Sequence, residues 1–496
     1  MTERQANRTV SDRWSYLWLA IGAILLVFAN GQWTIPLAAW LAPVFVIRFL
    51  RTQKPARGLI LVALAIIVTG AIRALGWMPP TIPPGILRYL MPGVMSLVFL
   101  LPFVADRLVA PRLEGLVATL VFPLTWTALE YINAVTTPFG SWGAVAYTQA
   151  GNLPLVQIVS LTGIWGLTFL VTWFAPVANW AWEQEFRWPE VRRGVGLYAG
   201  ILALVLLLGG ARLALAPPAA ETVRVGAIVR SMALIDQFDE GLEEQDWAST
   251  RETSSAMLDD ILELSREAVR AGARIVFWQE GPVFVLKEDE AAFVERGKEL
   301  ARQEKIYLGM ALATITVDFP ADLAENKALW IAPSGDILWE YFKARPVPGE
   351  PVVDGEDKVA ILDTPYGTIA SVICFDMDHP ALIRQAGQAD ADLMLVPTND
   401  WEEAKLMHKQ MAVFRAIENG FSLVRATGSG LSAAADYQGR SLAVMDQFAT
   451  EERLMIADAP TQGTTTLYAL IGDLFAWLCL AGSVAVIGRA VARRRA

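Results

Sequence analysis

Apolar positions in this chain fall in long unbroken blocks over the first 216 residues, then in short alternating runs. Blocks near 15–31, 34–50, 58–78, 85–106, 113–134, 159–181 and 194–216 each approach the length that crosses a bilayer core, for which a helix needs about 20 residues. An eighth lies near 465–488. In lipid a backbone must satisfy its own hydrogen bonds, so each block predicts a membrane helix. Buried helices of a water-soluble protein would not supply so many uncharged runs in succession. Between the seventh and eighth blocks the period changes. VRVGAIV (223–229), ARIVFW, IYLGMALATI, NKALWIA, ILWEYF, TIASVI, LMLVP and FSLVRAT read as strands, and segments 253–271, 288–304, 380–388 and 402–419 read as helices. That alternation predicts a layered α/β domain over 217–463, between seven helices in 1–216 and a last helix with a basic tail in 464–496.

Composition narrows the possible functions. Hydrophobic residues make up 54% of the chain and charged residues 19%, which excludes a disordered coat. A net charge of -10 argues against a nucleic-acid partner. Two cysteines and two histidines exclude a disulfide scaffold and a multi-histidine metal centre, and no nucleotide or flavin motif is present, so no cofactor and no metal are expected. Loop charges set an expected orientation. Arg4, Arg8 and Arg13, then Arg48, Arg51, Lys54 and Arg57, then Arg107 and Arg112, fall on one side. Arg187, Arg192 and Arg193, and the tail Arg489, Arg493, Arg494 and Arg495, join them there. The other side has Arg73 and Arg88, and 135–158 holds no Lys or Arg. By the positive-inside rule both termini are cytoplasmic and 217–463 lies outside the cytoplasm. The first helix, with no small-residue cleavage site after it, is expected to be retained.

Three reactive side chains stand just past predicted strand ends: Glu280, Lys343 and Cys374. Sites in α/β sheets form at that edge. A thiol is a good nucleophile only as thiolate; a carboxylate can take its proton and an ammonium can favour the anion and hold an oxyanion. The bland readings are a small core cysteine, a solvated lysine and a helix-capping glutamate. His379 is expected at a helix start with a structural role, and Cys479 as a buried apolar residue of the last span. In the membrane part Glu130 is an intramembrane carboxylate, either functional or capping a neighbouring helix. The loop 135–158, rich in Gly and aromatics, either lines a groove or lies in the headgroup layer.

WQEGP (278–282), YFKARPVPGEP (341–351) and SVICFDMDHP (371–380) resemble, in order, the catalytic motifs of the nitrilase, or carbon–nitrogen hydrolase, superfamily. NDW (399–401) and MHKQMAVFRAIENGFSLVRATGSGLSAAADYQGR (407–440) resemble its C-terminal half. With the flanking helices, and with TWTALEY, FGSWGAVAYTQ and LTGIWGLTFLV, nearly the whole chain is similar to the apolipoprotein N-acyltransferase family. That resemblance implies a multi-pass helical membrane domain plus an extracytoplasmic nitrilase-like αββα sandwich, in a bacterial cytoplasmic (inner) membrane. It implies Glu280 as general base, Lys343 as oxyanion-stabilising cation, Cys374 as nucleophile and Glu350 as a second glutamate that orients them. The N–H of Phe375 would help bind the oxyanion, Asp376 follows it where the acyltransferases usually carry Tyr-Glu, and Trp401 and His408 are supporting residues. The implied reaction takes an acyl chain from a phospholipid through a Cys374 thioester to the N-terminal amine of a diacylglyceryl-cysteine lipoprotein. Trp-Gln-Glu, PVPGEP and Cys-Phe-Asp depart from the acyltransferase pattern. They leave open a membrane-tethered amidase or an acyltransferase with another amine acceptor; the alternative of a different class is a non-catalytic scaffold or transporter.

Overall fold

The computed structural model describes residues 12–75, 85–218 and 220–495. Arg4, Arg8 and the end of the 58–78 block lie outside the described residues. The chain divides into two compact units, one of Met1–Ala216 with Ile471–Ala496 and the other of Pro217–Leu470.

The first unit is helical. Among the described residues six helices are long and apolar enough to cross a membrane: Pro55–Arg73, Ile86–Arg112, Leu116–Thr136, Ile164–Glu183, Trp188–Leu215 and Leu474–Arg493. Ser15–Phe28 and Pro36–Thr52, expected as the first two spans, are 14 and 17 residues long. At a rise of 1.5 Å per residue they reach about 21 and 26 Å, short of a hydrocarbon core of about 30 Å. The chain breaks between them because Gly31 turns at φ 97° and Pro36 opens the second helix. Ile164–Glu183 is the centre of this unit, buried along most of its length. It grips its neighbours through polar side chains: Thr168 donates to Glu130 at 2.8 Å, Trp173 to Thr119 at 3.0 Å and Asn179 to the Val44 carbonyl at 2.9 Å. Trp188–Leu215 is the opposite case, exposing Leu204, Leu207, Leu208 and Leu215. An exposed face of leucines on a helix this long is a face for lipid.

The second unit is two stacked sheets between helices. The strands are β1 Thr222–Ile228, β2 Ile275–Trp278, β3 Phe284–Leu286, β4 Tyr307–Ile315, β5 Glu325–Ile331, β6 Ile337–Phe342, β7 Ala360–Thr364, β8 Gly367–Ser371, β9 Leu393–Asn399, β10 Ser422–Gly428, β11 Leu431–Ala435, β12 Ser441–Asp446 and β13 Leu454–Pro460. One sheet runs β13-β1-β2-β4-β5-β6 with β3 on β4, the other β12-β11-β10-β9-β8-β7. Their facing sides bury Val225, Ile275 and Phe277 against Ile369, Leu395 and Val424. Helices Trp247–Arg270 and Glu290–Glu304 cover the first sheet's outer face, where Met257, Ile261 and Leu300 meet Val276, Trp278 and Met310. Each such fully buried side chain contributes about 1.5–3 kcal/mol. Parallel central strands buried on both sides explain why the sequence reads as continuous apolar runs. The first long helix begins at Trp247, ahead of the expected 253, because Asp246 accepts from the amides of Ala248 and Ser249. The later one begins at Lys405, three residues inside the expected 402, because 402–404 form a turn.

Candidate active site

Four strand ends build the site. β2 runs parallel to β1 and stops at Trp278, whose indole donates to Ser265 at 3.0 Å and anchors the strand to the covering helix. Two residues on, Glu280 donates its N–H to the Thr398 carbonyl of β9 at 3.3 Å. β6 stops at Phe342 and hands over to Lys343, whose N–H donates to the Asn326 carbonyl at 2.9 Å. β8 is held parallel to β9, with Ser371 donating to the Leu395 carbonyl at 2.8 Å, and the chain then turns sharply.

The turn is a short 3-10 helix, Cys374–Asp378, and Cys374 opens it at φ 50°. A side chain other than glycine seldom takes that left-handed conformation, so the surroundings must hold it. Asp376 does so by accepting from the amide of Ile373 at 2.9 Å, the hydroxyl of Tyr341 at 2.8 Å and the amide of Arg345 at 2.7 Å. The last two bracket Lys343, so one carboxyl locks the cysteine turn to the lysine segment. Burial pushes this carboxyl up to about 7 despite its three donors.

Glu280, Lys343 and Cys374 are 6%, 1% and 4% exposed, so their charges act in a medium of low polarity. Lys343 Nζ lies 2.7 Å from Glu280 Oε1 and 2.7 Å from Glu350 Oε2. Asn326 Nδ2 donates to Glu280 Oε1 at 2.7 Å and to Glu350 at 3.2 Å, and Val347 N–H closes the second carboxylate at 2.8 Å. The remaining oxygen of Glu280 accepts the Asn399 N–H at 2.9 Å. The Cys374 thiol donates to the Asn399 carbonyl at 3.5 Å. Burial, then the charge of Glu280, holds this thiol well above its ordinary range, against the pull of Lys343. Burial works to lower Lys343, and Glu280, Cys374 and Glu350 together outweigh it and hold the ammonium well above its usual range. Burial and Glu280 thus favour the neutral thiol, and the two glutamates favour the ammonium between them.

The other residues singled out in the sequence are placed as follows. His408 is buried in the helix Lys405–Asn419 and its Nδ1 meets the Asp400 carboxylate. Phe375 is buried with its ring edge-on to His379 at 5.3 Å, and His379 stands at the residue before Pro380–Gln388 with no capping bond from its side chain. Trp401 is half-buried in the turn before Lys405, its carbonyl accepting from the amides of Ala404 and Lys405. Cys479 is buried in the last helix. Glu130 belongs to the helical unit, where it caps the turn Val145–Gln149. Sequence reasoning did not single out Asn326, Tyr341, Asp400 or Arg425. Ligand atoms of Cys374, Asp400 and His408 lie within 4.8 Å of one another, a donor set of the type zinc uses. They do not fit a divalent cation: the Arg425 guanidinium is 3.2 Å from His408 Nδ1, and the Lys343 ammonium acts on the thiol.

The comparisons agree with this layout. The model of the apolipoprotein N-acyltransferase N-terminal domain matches residues 22–177, and the carbon–nitrogen hydrolase model matches 245–468. A protein of Geobacter metallireducens named apolipoprotein N-acyltransferase is 28% identical over 457 residues, covering 86% of this chain and 84% of its own. One of Bradyrhizobium diazoefficiens with the same name is 27% identical over 441 residues, covering 82% and 79%. Among solved structures, an amidase of the nitrilase superfamily from Nesterenkonia AN1 aligns over 49% of this chain and 92% of its own, with 21% identity and a TM-score of 0.39. This chain belongs to the apolipoprotein N-acyltransferase family, as a membrane acyltransferase whose second unit is a carbon–nitrogen hydrolase domain.

Proposed function

We propose that the protein transfers an acyl chain from a phospholipid to the N-terminal amine of diacylglyceryl-cysteine lipoproteins, with Cys374 as nucleophile, Glu280 as base and Lys343 as oxyanion cation. The observation that carries this is the buried ammonium of Lys343 bonded to Glu280 and Glu350 beside a thiol that shares the Asn399 peptide with the base. Glu280 takes the thiol proton as sulfur attacks the ester carbonyl. The carbonyl electrons collect on oxygen near the Lys343 ammonium and the Phe375 N–H, then return as the ester C–O bond breaks. The lysophospholipid leaves with the proton from Glu280. The amine then attacks the thioester, Glu280 accepts its proton and returns it to sulfur as the C–S bond breaks, and an amide and the free thiol result. A covalent intermediate lets two lipid substrates react in turn at one centre.

Membrane placement enters the proposal too. The Lys and Arg bias supports a bacterial cytoplasmic membrane with both termini inside and residues 217–463 outside. Cys-Phe-Asp and the Trp-Gln-Glu base motif favour a second reading, an acyltransferase or amidase with a different acceptor. Full-length protein incubated with phosphatidylethanolamine vesicles and a diacylated lipopeptide separates them. Mass spectrometry is expected to find one acyl chain on wild-type Cys374 and then on the lipopeptide, and neither with Cys374→Ser. An acylated Cys374 that releases only free fatty acid would overturn the lipoprotein acceptor; acylation of Cys374→Ser at the wild-type rate would overturn the nucleophile.

A further inference from the structure

Base and nucleophile share one peptide group. Asn399 donates its N–H to Glu280 and its carbonyl accepts from Cys374, so the position of that peptide sets both contacts. The next residue is fastened on every side. Asp400 N–H donates to the Gly428 carbonyl at 2.8 Å, and its carboxylate meets His408 Nδ1 and lies 3.5 Å from the Arg425 guanidinium. The other ring nitrogen of His408 lies 3.5 Å from Asp378, which ends the turn that Cys374 begins. One imidazole therefore lies between the nucleophile's segment and the segment that aims base and thiol. Asp378, Asp400, His408 and Arg425 are all 5% exposed or less, so none of these charges is screened by water.

Charge supplies a second, independent observation. The groups facing the thiol are Glu280 and Lys343 from the first sheet's strand ends and Asp400 from the residue after β9. Those facing the imidazole are Asp378, Asp400 and Arg425, and Arg415 on the same helix acts on Asp378. Asp400 opposes formation of the thiolate. Burial works to raise Asp400, and the charges of His408 and Arg425 outweigh it and hold its carboxyl below the usual range. A bare carboxylate beside the nucleophile is thus matched by two basic groups.

We propose that Asp400, His408 and Arg425 are positioning residues for acyl transfer, a clamp that fixes the Asn399 peptide against Glu280 and Cys374 while cancelling the negative charge that position would otherwise bring. The clamp rests on the reading of Cys374 as nucleophile.

Two measurements on the full-length protein test it: alkylation of the Cys374 peptide by iodoacetamide as a function of pH, and acylation of Cys374 from phosphatidylethanolamine vesicles. Arg425→Gln removes a permanent cation beside Asp400 and is expected to raise the alkylation midpoint by about one pH unit, the low end for a charge a few ångströms away. Asp400→Asn removes the opposing anion and is expected to lower the midpoint by a similar amount. Both slow acylation, because both loosen the peptide. The double variant returns the midpoint toward wild type without restoring the rate. Opposite shifts are a signature that a merely misfolded site does not produce, and Asp400→Asn, being isosteric, carries that sign without the arginine variant. Equal midpoints, or shifts in one direction, with normal acylation of the wild type would overturn the clamp. Absence of acyl mass on wild-type Cys374 would instead overturn the nucleophile and leave the clamp without a purpose.

Discussion

Two buried glutamates, one in each unit, differ in the way that separates a strut from the proposed base. Glu130 in the helical unit and Glu280 in the α/β unit are 5% and 6% exposed. Glu130 accepts from the Trp126 indole at 2.9 Å, the Val145 amide at 3.0 Å and the Thr168 hydroxyl at 2.8 Å. These donors are neutral, fixed, and drawn from three separate segments, so the carboxylate ties Leu116–Thr136 to Ile164–Glu183 and caps the turn at Val145. Glu280 also accepts an amide, from Asn399, but its other oxygen faces an ammonium that a second carboxylate shares. That ammonium can follow negative charge as it moves from carboxylate to sulfur to oxyanion; an indole and a hydroxyl cannot. Burial is common to both glutamates, and the mobile counter-charge beside a thiol belongs to one.

The largest effect expected from this contrast comes from the two Glu→Gln variants. Glu280→Gln removes the proposed proton acceptor and is expected to lower the rate of Cys374 acylation by about 10²–10⁴-fold, the usual worth of a positioned general base. Glu130→Gln leaves that rate unchanged and lowers the thermal unfolding midpoint of the detergent-solubilised protein, since a buried bond set loses about 1–3 kcal/mol. Acyl mass against time, with an unfolding curve for each variant, decides the matter. A Glu130→Gln protein that is stable but inactive would dissolve the distinction.

Lys343→Met should come next. It leaves Glu280 and Glu350 facing each other without their cation, and breaking a buried pair in this way costs about 3–5 kcal/mol. Adding Glu350→Gln to that variant removes one of the stranded charges and is expected to recover part of the loss in a urea titration. Equal stability of the single and double variants would mean that Glu350 reaches water and that the ammonium is not shared.

How far these features were legible in the chain depends on what kind of group does the work. Glu280, Lys343 and Cys374 were legible as candidates because each stands just past an apolar strand, inside a motif that resembles the nitrilase superfamily, and the structure places Lys343 against Glu280. Asn326 was not, because it sits at the head of NKALWI and reads as a strand position. The Asn399 peptide acts through its backbone, which any residue could supply, so no residue type announces it. Arg425 lies inside FSLVRAT and looks like the outward member of an alternating strand, yet it is fully buried, because the helix Lys405–Asn419 brings His408 and the strand end brings Asp400 to it. The left-handed backbone at Cys374 is imposed by Asp376 and Tyr341, contacts that form only after β6 and β8 end side by side. In the helical unit the apolar blocks marked the helices, but not that the first two are shorter than a bilayer core, which Gly31 and Pro36 determine locally.

Asp376 offers the smallest effect and the finest test of how the α/β unit uses its buried carboxyls. Its folded value of about 7 lies above the unfolded one, which is near 3.8. Between the two, the folded protein binds a proton that the unfolded chain does not, so this group's contribution is fully present below about pH 4 and is lost as pH rises through about 7. The unfolding midpoint of wild type should therefore carry a downward component over that interval. Asp376→Asn holds a permanently neutral side chain of the same shape and should flatten it, with little change in the midpoint at the acid end. Thermal scans at half-unit steps of pH read the slope directly. An unchanged slope in the variant would show that Asp376 stays ionised between its three donors, and that the turn at Cys374 is held by a charged carboxylate and not by a neutral one.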